Sequence, residues 1–157
     1  MQWTGPHLFD VLFSDNHGLL TWAPLLVVAI AGLASFVTRH RGPGVAMAVV
    51  VLLSWYVNAA VADWWGGEAF GARRFLSLFP LFALGLACWL SPNAPGRIRP
   101  WKLGFLIVLL AANALLLLQY QTFMKGRADL ATYPSGWTDM WVTRFLVPFR
   151  LLQSWWH

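Results

Sequence analysis

Four uncharged apolar runs divide this chain, separated by short polar clusters. The first covers Leu19–Thr38, the second Val45–Ala62, the third Phe75–Leu90 and the fourth Leu103–Gln119. A helix rises 1.5 Å per residue, so about 20 residues cover the roughly 30 Å of a bilayer's hydrocarbon core. None of the runs contains Asp, Glu, Lys, Arg or His. None shows the period-two alternation of a strand in a membrane barrel. Lipid offers the backbone no hydrogen-bond partner, so runs of this kind must satisfy it internally, as helices. The fold class expected is all-α: a polytopic membrane protein with four transmembrane helices over 1–122, then a tail over 123–157. Pro80 interrupts the third run and predicts a kink there.

The tail has a different pattern. Trp137, Met140, Trp141, Phe145, Pro148, Phe149, Leu152 and Trp156 recur at spacings of three and four. Arg144, Arg150, Gln153 and Ser154 fall off that stripe. The pattern predicts a C-terminal interfacial amphipathic helix, bent or broken near Pro148. A short fifth apolar segment packed on the bundle is the alternative.

Composition agrees with a membrane chain. Of 157 residues, 59% are hydrophobic and 11% charged, against about 45–50% and 25% in soluble domains. The net charge of +5 does not point to nucleic acid, because the cations lie in short clusters between apolar runs rather than on one polar face. The loops Arg39–Gly44 and Ser91–Lys102 hold two and three cations and no acid. Such loops stay in the cytoplasm. The N-terminus, the Asp63–Arg74 loop and the C-terminus are then expected on the non-cytoplasmic side, of a bacterial inner membrane. No cationic n-region precedes the first run, so no signal peptide is visible. One cysteine, Cys88, excludes an internal disulfide and a CxxC site. The histidines are too scattered to predict a metal site, and none of the common soluble catalytic motifs occurs. Runs without ionisable residues also argue against a proton-coupled pump.

The Asp63–Arg74 loop is the densest polar constellation. Asp63, Glu68, Arg73 and Arg74 surround Trp64, Trp65 and three glycines. The tryptophans suit a headgroup belt or the face of a sugar. The arginines offer planar forks for phosphate, or anchor a helix end in the headgroups. Asp63 and Glu68 are close enough to pair with one arginine and leave the other for a ligand. Asp10, Asp15 and His17 form a second polar group on the same side, with His17 expected to be solvated. Asn113 is expected to bond a neighbouring helix, and Ala31, Ser35, Ala83 and Ala87 to mark close helix contacts.

Residues 9–90 resemble the later membrane half of bacterial glycosyltransferases of the GT-C superfamily, in particular dolichyl-phosphate-mannose–protein mannosyltransferase-like proteins. The resemblance rests on Leu12-Phe13-Ser14, Gly18-Leu19, Trp22 and Pro24, on Asp63-Trp64-Trp65-Gly66-Gly67, and on Phe70-Gly71-Ala72-Arg73-Arg74 with Pro80. It implies a helical enzyme that takes a sugar from a polyprenyl-phosphate carrier at the outer membrane face. It places Asp63, Trp64, Trp65, Arg73 and Arg74 around the lipid-linked donor. Members of the family carry their catalytic acid in a first outer loop, and nothing here matches that loop. The chain is therefore expected to be a C-terminal portion, inactive alone, that works with a missing N-terminal half. A small non-enzymatic membrane protein packed against a larger partner is the alternative. No catalytic residue, cofactor or metal is predicted.

Overall fold

A computed structural model describes residues 1–64, 72–91, 98–121 and 137–155. Among these the regular structure is helical: α1 (Asp10–Phe13), α2 (Leu19–Trp22), α3 (Leu25–Arg39), α4 (Arg41–Ala59), a 3-10 turn (Arg73–Leu78), α5 (Phe79–Leu90), α6 (Pro100–Gln119) and α7 (Trp137–Trp155). Three stretches are long and apolar enough to cross a membrane: Arg41–Ala59, Arg73–Leu90 and Pro100–Gln119. α3 is apolar but shorter. Only 11% of the α4 window and 11% of the α6 window are buried inside the protein. Val49, Val50, Leu52 and Leu53 on α4, and Phe105, Ile107, Val108 and Leu110 on α6, face outward. An apolar surface of that extent suits lipid better than water. The helices and the outer face are compatible with an integral membrane protein.

Prolines set several boundaries differently from the apolar runs. The first run is not one helix. α2 ends at Trp22, Ala23 leaves helical geometry, and Pro24 caps α3. Pro24 lacks the N–H that would continue the ladder and restricts the residue before it. The basic Arg39–Gly44 stretch is not an open loop. His40 alone separates α3 from α4, and Pro43 sits in the first turn of α4, where a missing N–H costs nothing. Pro80 does not kink the third span midway. It lies in the first turn of α5, following the 3-10 turn. α6 likewise opens on Pro100. α7 continues through Pro148 as one helix.

α3 and α5 form the most extensive helix pair, and Gly32 and Gly85 make it possible. A Cβ on Gly32 would meet the Gly85 carbonyl and approach Trp89 Cβ at 3.0 Å. A Cβ on Gly85 would meet the Ala29 carbonyl. The close contact is thus Ala29–Gly32–Gly85. Ala31, Ala83 and Ala87 point outward instead and Ser35 is half-buried, so the expected small-residue stripe lies on the wrong faces. Gly44 does a similar service for α3 and α4, since its Cβ would lie 2.6 Å from Val37 Cα.

The main core gathers Val11, Leu19, Ala29, Ala59, Phe75, Leu78 and Phe82. A second cluster joins Trp22, Leu116 and Met140. The N-terminal segment closes the end of α4. Gln2 N donates to Ala60 O at 2.7 Å and His7 N to Ala59 O at 2.9 Å. Tyr56 Oη and Trp55 Nε1 reach back to the carbonyls of Trp3 and Leu8. The bonds to Ala59 and Ala60 satisfy carbonyls that the end of α4 leaves open.

α7 packs against α6; its Met140 meets Leu116, and Met140, Arg144 and Val147 are all fully buried. Val142, Phe145, Leu146, Phe149 and Leu152 face outward. Most of the apolar stripe, Phe145, Pro148, Phe149 and Leu152, therefore faces away from the bundle while its member Met140 packs inward, and Arg144, which falls off the stripe, is buried.

Candidate functional site

An open groove of about 290 Å³ runs between α2, α3, the 3-10 turn, α5 and α6. Its walls are Leu19, Trp22, Leu25, Leu26, Phe75, Leu76, Phe79 and Phe82. Two polar side chains join them, Arg73 and Asn113. The 3-10 turn presents Phe75 and Leu78 to the core and leaves Arg73 exposed at the groove's edge. The volume sits at the lower end of the range for ligand pockets, roughly 300–1,000 Å³. Apolar walls with one cation at the rim fit a lipid-like chain that ends in an anion. They offer no pair of groups for acid–base chemistry.

The structure separates the two adjacent arginines. Arg74 Nη2 donates to Asp63 Oδ2 at 2.6 Å. That charged bond holds the Asp63 carboxyl below its ordinary value of 3.8. Arg73 makes no ion pair among the described residues and contributes only a weaker field at Asp63. Trp64 turns inward. It stacks on His7, ring centroids 5.8 Å apart, and packs against the main core. Trp65, Gly66, Gly67, Glu68 and Gly71 lie outside the described residues. Of the five residues predicted to line the donor, Asp63 and Arg74 are brought together, Arg73 joins the groove, and Trp64 supports the core.

The second polar group does not form as expected. Asp10 Oδ2 lies 3.0 Å from His7 Nδ1. Asp15 Oδ1 accepts the Asn16 N–H at 2.9 Å. His17 is buried rather than solvated. Its backbone adopts φ 63°, and its ring stacks on Trp22 at 4.6 Å. Trp22 Nε1 donates to the Asp15 carbonyl at 2.8 Å. Trp22 is therefore held from both sides while it forms a groove wall. Asn113 Oδ1, expected to bond another helix, has no hydrogen-bond partner among the described residues, and Asn113 belongs to the groove lining. Among the described residues no cluster of His, Cys, Asp or Glu could hold a metal.

Sequence reading missed Arg144. It is fully buried, with Nη2 donating to Thr21 O at 3.3 Å and Cζ 4.1 Å from the Trp141 ring centroid. Burial pushes it down to about 10, so it stays charged at neutral pH. Its place, one turn after Met140 on a helix rich in exposed aromatics, carried no signal in the sequence. Comparison with family models, curated proteins and solved structures finds no match for the chain.

Proposed function

We propose that this chain is the donor-holding membrane portion of a polyprenyl-phosphate-sugar-dependent glycosyltransferase. The first part of the isoprenoid lies in the apolar groove, and Arg73 takes the phosphate at its rim on the non-cytoplasmic side. The carrying observation is that Arg73 lines the groove while its neighbour Arg74 is engaged by Asp63. The apolar walls accept an alkyl or isoprenoid chain without a desolvation penalty. A guanidinium at headgroup depth binds phosphate by charge-assisted, bidentate bonds. Among the described groove residues no base activates an acceptor, so in this reading the groove holds the donor.

Binding of a radiolabelled polyprenyl phosphate to the purified chain in lipid nanodiscs tests this. Arg73→Ala should weaken binding by about 1.5–3 kcal/mol, the worth of a charged hydrogen bond. Arg73→Lys should restore it in part, because a point charge lacks the fork. Arg74→Ala should leave binding within about twofold, since Asp63 rather than the ligand is its partner. Equal losses at both arginines, or none at Arg73, would overturn the reading.

A further inference from the structure

The groove has two long walls and one closed end. Leu19, Trp22 and Leu26 belong to one wall, and Arg73, Leu76, Phe79 and Phe82 to the other. The second wall is a ridge of residues three apart. Side chains at that spacing stand nearly in line in a 3-10 turn, and the turn runs directly into α5. Both walls stop one turn before α3 meets α5. There Gly32 and Gly85 let the backbones touch, and a Cβ on Gly85 would meet the Ala29 carbonyl. The other end of the ridge is the exposed Arg73.

The dimensions select the occupant. The chain rises about 2.0 Å per residue through the 3-10 turn and about 1.5 Å through α5, so Arg73 to Phe82 spans about 16 Å. Over that length the volume of about 290 Å³ gives a cross-section of roughly 20 Å². Carbons pack about 4 Å apart, so this is room for one hydrocarbon chain and not two. An extended chain advances about 1.2 Å per bond, so an isoprene unit of four bonds takes about 5 Å and about three units fill the groove. Polarity narrows the class further. Behind Arg73 the lining is apolar but for Asn113. Trp22 adds no donor, because its one N–H goes to the Asp15 carbonyl. A glycerophospholipid would bring ester carbonyls to about 5 Å from its phosphate, among side chains that cannot replace the water they lose. A prenyl phosphate is hydrocarbon from its first carbon. Taking the groove as the carrier site argued above, we propose that it selects monoprenyl phosphates over glycerophospholipids and reads the three isoprene units nearest the phosphate. Later units leave across the open side, where Leu76 and Phe79 are exposed.

The test is direct binding of radiolabelled geranyl, farnesyl and geranylgeranyl phosphates, and of dioleoyl phosphatidic acid. Each is measured on the full chain in phosphatidylcholine nanodiscs at matched mole fractions in the membrane. Farnesyl and geranylgeranyl phosphates, with three and four units, should bind within about twofold of each other, because the fourth unit finds no wall to pack on. Geranyl phosphate, with two units, should bind several-fold more weakly. Phosphatidic acid should bind at least about tenfold more weakly than farnesyl phosphate. Arg73→Ala should weaken the three prenyl phosphates alike, since the phosphate is common to them. Phe82→Leu shortens the side chain at the closed end, so geranylgeranyl phosphate should gain several-fold over farnesyl phosphate; if that variant does not fold, the wild-type series decides. One affinity for all three chain lengths, or a rise from three units to four as steep as from two to three, overturns the length selection and leaves an Arg73-dependent carrier site standing. An unchanged order in folded Phe82→Leu overturns the closed end. Phosphatidic acid that binds as well as farnesyl phosphate overturns the selectivity. If no prenyl phosphate binds, or Arg73→Ala changes none of them, the carrier site and its selectivity fall together.

Discussion

Replacing Gly85 by alanine probes the contact on which the bundle is built. The new Cβ would stand 2.9 Å from the Ala29 carbonyl carbon and 3.2 Å from Leu33 N, and closer still to the Ala29 oxygen. Carbon atoms in contact prefer about 3.5–4.0 Å, so α3 and α5 must part by about 1 Å. The atoms in the way are backbone, which no rotamer change can move. Overpacking of this kind costs about 1–3 kcal/mol. Alanine is the better helix former by about 0.5–1 kcal/mol. The balance is a loss of up to about 2.5 kcal/mol. In lipid that loss is felt directly, because helix association there rests on close packing rather than on the hydrophobic effect. Gly104→Ala on α6 is the control, because its Cβ would meet nothing within 4 Å. It should be neutral or stabilising by up to about 1 kcal/mol. The assay is reversible unfolding by dodecyl sulfate in mixed micelles, followed by far-ultraviolet circular dichroism. Gly32→Ala should resemble Gly85→Ala, and the double variant should cost less than the sum, since one separation relieves both clashes. Leu25, Leu26, Phe79 and Phe82 line the groove from these same helices, so ligand binding should weaken alongside stability. If Gly85→Ala and Gly104→Ala shift the midpoint alike, the backbone contact is not limiting and the reasoning fails.

Two further outcomes follow from the polar groups. The folded-state value of Asp63 is depressed by Arg74, so the pair's contribution is present above pH 3.8 and is lost as pH falls through the lower folded value. A carboxyl-carbon NMR titration should place Asp63 below 3.8, and Arg74→Ala should return it towards the ordinary value; an unmoved titration would deny the pair in solution. Trp22→Phe removes the N–H that the Asp15 carbonyl accepts and thins the stack with His17. The loss should be about 1–3 kcal/mol in the same unfolding assay, and a change within about 0.5 kcal/mol would show that the bond is not made.

Composition and uncharged run length by themselves determined that the chain is helical, with helices fit for a membrane, because lipid leaves an unpaired backbone no other solution. They also located α4, the third span and α6 to within a few residues. The same arithmetic overran α2 and α3, since an apolar count does not register the N–H that Pro24 lacks. It opened a loop at Arg39–Gly44 where a proline and two glycines sit comfortably at a helix start. Residue chemistry marked Asp63, Arg73 and Arg74 as a group, but only the fold divided their labour, pairing Arg74 with Asp63 and setting Arg73 beside the groove. Which face of a helix turns inward is likewise a tertiary matter. Periodicity grouped Phe145, Phe149 and Leu152 on one stripe, yet in a bilayer the outside is also apolar, so a stripe does not say which way it points. The fold turned most of it outward and buried Arg144 against Thr21 and Trp141.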